Sequence, residues 1–260
     1  MTAFVVIVSA AFGLAIGSFL NVVIWRVPRG ESVVSPPSHC PRCDHPIRQR
    51  DNIPVLSWLL LRGRCRDCSN PISPRYPLVE LATAVLFAVV ALRFGADWQL
   101  PAYLYLAAIT VALTMIDIDV RRLPDAIVLP SYAVALVLLL LPAVLDNRWD
   151  DLLRAVLGGA ALFAGYFLLI FIKPGAMGFG DVKLAGVLGI YLGWLSWGVL
   201  LLGAFAGFLL GGVYGIVLML AGRAGRKSKI PYGPFMLAGA MVAVLVGERL
   251  VEAYRGMIGI

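Results

Sequence analysis

The sequence is short of charge. Of its 260 residues only 14% are Asp, Glu, Lys or Arg, while 60% are hydrophobic. A soluble domain carries about 25% charged residues. This chain therefore lacks the polar groups to cover its own surface, and most of that surface must face lipid. It also lacks any basic helix with interleaved aromatics. Its formal net charge of +7 consequently points away from nucleic acid and toward loops held on the cytoplasmic side of a membrane. No positive charge precedes the first apolar run: residues 1–4 are uncharged, and Arg26 and Arg29 follow the run. That is the reverse of a secretory signal, so the run reads as an uncleaved helix with its N-terminus outside. No glycine-rich nucleotide loop after a strand is present.

What the chain has in quantity is long apolar runs. A helix needs roughly 20 mostly apolar residues to cross a hydrocarbon core of about 30 Å, and lipid permits only helices here because unpaired backbone groups are too costly. The runs predict an all-α polytopic membrane protein with eight spans, at 4–25, 77–95, 101–117, 127–145, 154–173, 181–196, 198–221 and 234–251, the sixth being short and the third marginal. Alternating the loops puts 17 of the 22 basic residues on one side, among them nine Arg in 26–76 and the group Arg223, Arg226, Lys227 and Lys229. By the positive-inside rule that side is cytoplasmic.

The segment 26–76 is the only part resembling a small soluble module, so the chain divides into a first transmembrane helix (1–25), this insert (26–76) and a seven-helix membrane domain (77–260). The insert holds all four cysteines, as CPRC (Cys40, Cys43) and CRDC (Cys65, Cys68). Two C-x-x-C knuckles allow four thiolates to reach one tetrahedral zinc ion. The 21-residue gap between them is slightly longer than the usual window of about 15–20. Disulfides are the first alternative, but they rarely persist in a reducing cytoplasm. A thioredoxin-like redox pair is the second, but no βαβ pattern surrounds either knuckle. His39 and His45 flank the first knuckle as bystanders. A segment of roughly 50 residues builds little core, so a metal would supply much of its folding free energy.

Charges at the ends of spans are costly and usually have a task. Asp97, Asp146, Asp150, Asp151 and Glu252 fall in outer loops or the tail and read as solvated charge. Glu80, Asp117, Asp119, Asp125, Asp181 and Glu248 remain. Asp117, Asp119 and Asp125 lie in MIDIDVRRLPDAIVLP, from the end of the third span into the fourth, and Asp181 ends GFGD at the start of the sixth. Topology alone brings carboxylates distant in sequence to one membrane face. Gly178 and Gly180 would give the backbone unusual φ/ψ and allow close approach. Two adjacent carboxylates share a proton, so one can take a proton from water while the other donates to a carbonyl oxygen. The alternative is that Asp181 caps its helix and Asp117 or Asp119 pairs with Arg121 or Arg122.

At this point the sequence resembles a known family, the bacterial type IV prepilin peptidases, membrane aspartic proteases of the G-x-G-D type. The likeness runs through GSFLNVVIWRVP, CPRC and CRDC with RDNIPVLSWLLLRGRC between, RYPLVEL, IDIDVRRLPD, GFGDVKL and IPYGPF, in order along nearly the whole chain. The resemblance implies cleavage of the basic leader from type IV prepilins or pseudopilins, after a glycine, at the cytoplasmic face of the bacterial inner membrane. It carries the catalytic aspartates onto Asp181 and Asp117, the latter seven residues before Pro124, with Asp119 as runner-up and Asp125 as a cap of the fourth helix. Lys183, about 200° around the helix from Asp181, would face lipid headgroups or a substrate carboxylate. Glu80 would orient substrate or the zinc module, and IPYGPF supplies a turn. Many family members also N-methylate the new terminus with S-adenosylmethionine, and the intact insert with all four Cys permits that second activity.

Two other readings use the same residues. A proton- or ion-coupled transporter would prefer carboxylates near the midplane and inverted repeats. A scaffold with a zinc-stabilised docking module would depend on the cysteines and not on the aspartates. The acids cluster at one face and no inverted repeat is evident, which favours the enzyme.

Overall fold

Every apolar run read from the sequence is a helix in the computed structural model, which describes residues 1–173, 175, 177–223, 225 and 230–258. Three of the basic residues used to orient the chain, Arg226, Lys227 and Lys229, lie outside the described residues. The helices are α1 (Thr2–Arg26), the short α2 (Leu56–Leu60) within the insert, α3 (Arg75–Phe94), α4 (Leu100–Val120), α5 (Asp125–Leu145), α6 (Trp149–Ile172), α7 (Phe179–Leu195), α8 (Trp197–Leu220) and α9 (Gly233–Ile258).

The eight expected spans correspond to the eight long helices, of which α7 stands apart. Among the described residues, seven helices are long and apolar enough to cross a membrane. The 17-residue α7 reaches only about 26 Å at 1.5 Å per residue, short of a core of about 30 Å. It is also the most enclosed helix, buried almost continuously from Asp181 to Trp194. Its shortness is set locally. Gly178 in an extended conformation precedes it, and a single extended residue, Ser196, separates it from α8. The Ser196 hydroxyl accepts the Val199 N–H at 3.1 Å and so caps the next helix.

The chain forms two compact units. The first comprises Met1–Leu100 with Leu106–Ala112, and the second Pro101–Tyr105 with Leu113–Ile260. In the first unit α1 packs on α3 through Gly13 and Gly17. A Cβ on Gly13 would lie 2.8 Å from the Ala84 Cα, and one on Gly17 would lie 2.6 Å from the Glu80 Cα. Small residues four apart allow this approach, which in lipid replaces the missing hydrophobic drive between helices. In the second unit Gly158 and Gly189 bring α6 and α7 together backbone to backbone, and Gly207 and Gly239 do so for α8 and α9. The α6–α7 pair is locked at one end by Arg154. Its guanidinium donates to the carbonyls of Gly193, Trp194 and Leu195 and pairs with Asp151, so it satisfies the free carbonyls at the α7 C-terminus.

Candidate active site and metal centre

The insert builds one hairpin twice. The Cys40 N–H donates to the His45 carbonyl and the Asp44 N–H to the Cys40 carbonyl. At the second knuckle the Cys65 N–H donates to Asn70 and the Ser69 N–H to Cys65. Asp44 and Ser69 occupy the same left-handed position, at φ 54° and 57°. The knuckles are tied crosswise by Arg48–Asp67 at 3.0 Å and Arg66–Asp51 at 2.6 Å, and the hydrogen bonds from Arg66 hold the Asp51 carboxyl below its usual range. All four Sγ atoms lie within 4.8 Å of one another, and all four cysteines are free thiols. The Sγ atoms of Cys40 and Cys68 are 3.8 Å apart, too far for a disulfide. That spacing matches the edge of about 3.8 Å for a tetrahedron with metal–sulfur bonds of about 2.3 Å. Backbone N–H groups of Arg42 and Cys43 pull the Cys40 thiol down to about 6, while burial and neighbouring thiols push Cys43 and Cys68 up, so one thiolate is held among protonated neighbours until a metal displaces their protons. The cluster can therefore hold a metal ion.

Next to the cluster in the same unit is a cavity of about 850 Å³ bordered by Asn21, Trp25, Cys40, Trp58, Tyr76 and Glu80. The Glu80 carboxylate is buried. It accepts the Val55 N–H at 2.7 Å and also bonds the Ser18 hydroxyl. Val55 is a β-branched residue at φ 60°, a strained conformation, and Glu80 holds it there. Glu80 thus grips the insert at the turn before α2 and not at the cysteines.

The second unit contains the carboxylates. Asp117, in the last turn of α4, is 5% exposed, and Asp181, in the first turn of α7, is 9% exposed. Each takes a hydrogen bond from a helix N-terminus. Asp181 accepts the Gly178 N–H at 3.0 Å, and its own N–H donates to the Gly178 carbonyl. Asp117 accepts the N–H of Gly233, the first residue of α9, at 3.1 Å. Helix N-termini present unpaired N–H groups and partial positive charge, so two of them are directed at two buried acids. The two sites border a common side chain, Leu123, which a Cβ on Gly180 beside Asp181 and a Cβ on Gly233, the donor to Asp117, would each meet at 3.2 Å. Asp119 is exposed.

Several expectations about the surrounding residues are revised. Gly178 has ordinary extended φ and ψ of −77° and 151°, and Gly180 is helical, so neither is present for unusual backbone angles. Gly180 serves close approach: a Cβ there would meet the Leu123 Cβ at 3.2 Å, and the same leucine would lie 3.2 Å from a Cβ on Gly233. Lys183 does not face headgroups. Its ammonium pairs with both Asp125 oxygens at 2.7 and 2.8 Å and lies over the Phe179 ring. Asp125 makes no side-chain cap on α5, because its carboxylate is turned to that lysine. The Tyr132 hydroxyl, two turns along α5, donates to the Lys183 carbonyl at 2.7 Å. The sequence reading missed the contributions of Gly233, Tyr132 and Arg154. Only the Gly233 turn had a visible signal, the Pro/Gly punctuation of IPYGPF.

Family comparisons fit this arrangement. The family described as Bacterial Peptidase A24 N-terminal domain matches residues 11–94, and the Type IV leader peptidase family matches residues 104–216. Together these define a polytopic bacterial membrane enzyme of the leader peptidase class. Similar proteins named prepilin leader peptidase/N-methyltransferase include one from Stutzerimonas stutzeri, 38% identical over 96% of this chain and 93% of its own length. One from Aeromonas hydrophila is 40% identical over 94% and 91%, and one from Neisseria gonorrhoeae is 40% identical over 97% and 94%. The chain belongs to the prepilin leader peptidase/N-methyltransferase family. No solved structure matches it.

Proposed function

We propose that this protein is a membrane aspartic endopeptidase that removes the leader of type IV prepilins or pseudopilins, with Asp117 and Asp181 as its catalytic pair. One observation carries the reading. Two acids 64 positions apart in sequence are both buried, both held by N–H groups at helix N-termini, and both next to glycines that border Leu123. Burying a charge without a partner is costly, and a pair sharing one proton relieves part of that cost. One carboxylate takes a proton from the attacking water. The other donates to the scissile carbonyl oxygen, and collapse of the tetrahedral intermediate passes a proton to the leaving amine. Gly178 and Gly180 support the Asp181 turn, Lys183 fixes α7 through Asp125, and exposed Asp119 takes no part in the chemistry.

In the same reading α7 counts as an eighth span, shielded by its neighbours. The N-terminus is then outside, and the pair and the insert face the cytoplasm of a cell whose inner membrane holds the protein. Residues 1–25, 26–76 and 77–260 act as anchor, metal module and peptidase domain, and the partners are pilin precursors and lipid, with no nucleic acid. Zinc is the ion that four cysteine thiolates suit best, held by Cys40, Cys43, Cys65 and Cys68 as a structural centre.

The test is the mass shift of a prepilin substrate with purified wild type and the Asp117→Asn, Asp181→Asn and Asp119→Asn variants. The expected result is loss in the first two variants and activity in the third. Cutting by both Asp117→Asn and Asp181→Asn at the wild-type rate would refute the pair.

The cavity beside the cysteine cluster favours a second activity on the same substrate. Its volume suits a cofactor-sized ligand, and Trp25, Trp58 and Tyr76 provide aromatic faces with Glu80 as the buried acid. S-adenosylmethionine, when bound, supplies a methyl cation equivalent for the new N-terminal amine. The aromatic residues would receive the adenine and the sulfonium. Titration calorimetry of the full protein with S-adenosylmethionine checks this, and absence of binding would remove the methyltransferase reading without touching the peptidase.

A further inference from the structure

Among the described residues, three side-chain polar atoms are buried without a hydrogen-bond partner: Thr110 Oγ1 and the hydroxyls of Tyr191 and Tyr232. A buried polar group with no protein partner needs an explanation, and a catalytic task is one. Tyr191 is a core residue whose ring meets Tyr103 edge-on. Tyr232 is different because it borders the peptide N–H that holds Asp117.

Tyr232 immediately precedes Gly233, whose N–H is bound to Asp117. Its own carbonyl accepts the N–H groups of Phe235 and Met236, so the residue is fixed at the start of α9. The ring is fixed as well. It packs against Phe208 at 5.6 Å between centroids and fills the space over Gly211, where a Cβ would meet the ring at 3.1 Å. The hydroxyl therefore occupies a set position. Tyr166 on α6 is its polar neighbour, and the Tyr166 ring stacks on the same Phe208. Tyr232 is thus joined to Asp117 through the next peptide unit, and its hydroxyl makes no hydrogen bond of good geometry in the resting fold, the Tyr166 phenol being its nearest polar company. Phenylalanine would fill the same volume without a desolvated hydroxyl, so packing does not account for the oxygen.

We propose that the Tyr232 hydroxyl donates a hydrogen bond to the carbonyl oxygen of the scissile peptide as the tetrahedral intermediate forms. The inference rests on the peptidase reading of Asp117 and Asp181 and adds a third group to it. In this step water adds to the carbonyl carbon and gives its proton to one carboxylate, and the carbonyl oxygen gains negative charge. That oxygen is stabilised by the phenol, which keeps its own proton, while the second carboxylate supplies the proton that moves. The C–N bond then breaks with the proton passing to the amine. A preorganised donor at such an oxygen accelerates the step because it needs no reorientation during the reaction.

The experiment is steady-state cleavage of a prepilin by full-length wild type and Tyr232→Phe, with thermal unfolding of both in the same detergent. If the hydroxyl acts on the transition state, kcat falls on the order of 10²–10³-fold, KM is retained and the midpoint of unfolding does not fall, because the lost hydroxyl had no bond in the resting fold. Unchanged kcat in Tyr232→Phe would overturn the inference and leave the peptidase reading standing. A loss of activity accompanied by a lowered unfolding midpoint, or a rise in KM alone, would overturn it in favour of a structural or binding role. If wild type fails to cut and the Asp117→Asn variant behaves identically, the peptidase reading falls, and this inference falls with it.

Discussion

The cysteine cluster and the carboxylate pair are two polar sites in one apolar chain, built in opposite ways. The cluster uses four residues within 29 positions, and each knuckle closes on its own backbone through two hydrogen bonds. The pair uses α4 and α7, with a third helix, α9, supplying the N–H that holds Asp117. Its geometry is not local to any segment. A local site fails when its own few residues fail, whereas a distributed site fails when any contributing helix moves. The two sites should therefore respond to different insults.

The largest expected effect follows from metal removal. The insert has little core of its own: Cys40 and Ser57 are among its few buried side chains. Metal binding in such a module amounts to folding free energy. Chelation, or Cys40→Ser with Cys68→Ser, is expected to open residues 30–74 to proteases within minutes, while the helical fragments beyond residue 75 remain intact. Limited proteolysis read by mass spectrometry checks this, together with a count of metal per chain before chelation. An insert that stays resistant after the metal is stripped would show that Glu80–Val55 and the crosswise ion pairs hold it unaided.

A smaller effect, confined to the other site, comes from adding single methyl groups. Gly233→Ala would bring a Cβ to 2.8 Å from the Asp117 Oδ2 and 3.2 Å from Leu123, so the carboxylate or α9 must shift. Cleavage is expected to fall about 10- to 100-fold, as small displacements of catalytic groups do. Gly178→Ala is the matched control: its Cβ would meet Asp181 at an ordinary 3.5 Å and its φ suits any residue. Initial rates of leader removal for the two variants, with the metal content of both unchanged, would sharpen the separation of the sites. Equal losses in the two would erase it.

The same contrast explains what the sequence disclosed. C-x-x-C twice over is a statement about a few consecutive residues, and the thiols meet where that spacing places them. The eight long helices were legible for a similar reason, since a run of apolar residues is local. The status of α7 was less so. Its 17 residues are as apolar as its neighbours, and only the glycine-lined packing against α6 reveals that it is enclosed. The pairing of Asp125 with Lys183 crosses 58 positions and has no local signature, so both residues drew local explanations, a helix cap and a headgroup contact. The buried state of Asp117 and the exposed state of Asp119 differ by two positions on one helix, a difference of about 200° in direction. Composition does not distinguish those two acids, but packing does.

The smallest effect expected belongs to that Asp125–Lys183 pair. Asp125 is more than half exposed and the lysine side chain one-fifth exposed, so Coulomb attraction between them is screened and the pair contributes little to stability. Its work is positional. Together with the Tyr132 hydroxyl on the Lys183 carbonyl, it fastens the first turn of α7, which carries Asp181, to the first two turns of α5. Asp125→Ala or Lys183→Ala is expected to slow cleavage about two- to fourfold, with nearly all of the change in kcat. The exchanged double variant, Asp125→Lys with Lys183→Asp, should recover most of the rate if the bond matters and the individual charges do not. Kinetics of the four proteins at low and high salt decide the matter, because a screened pair loses its advantage as salt rises. Full loss of activity in Lys183→Ala that the exchange does not rescue would mean that the lysine itself meets the substrate. The distributed site would then extend one residue further along α7 than the geometry of the resting protein assigns.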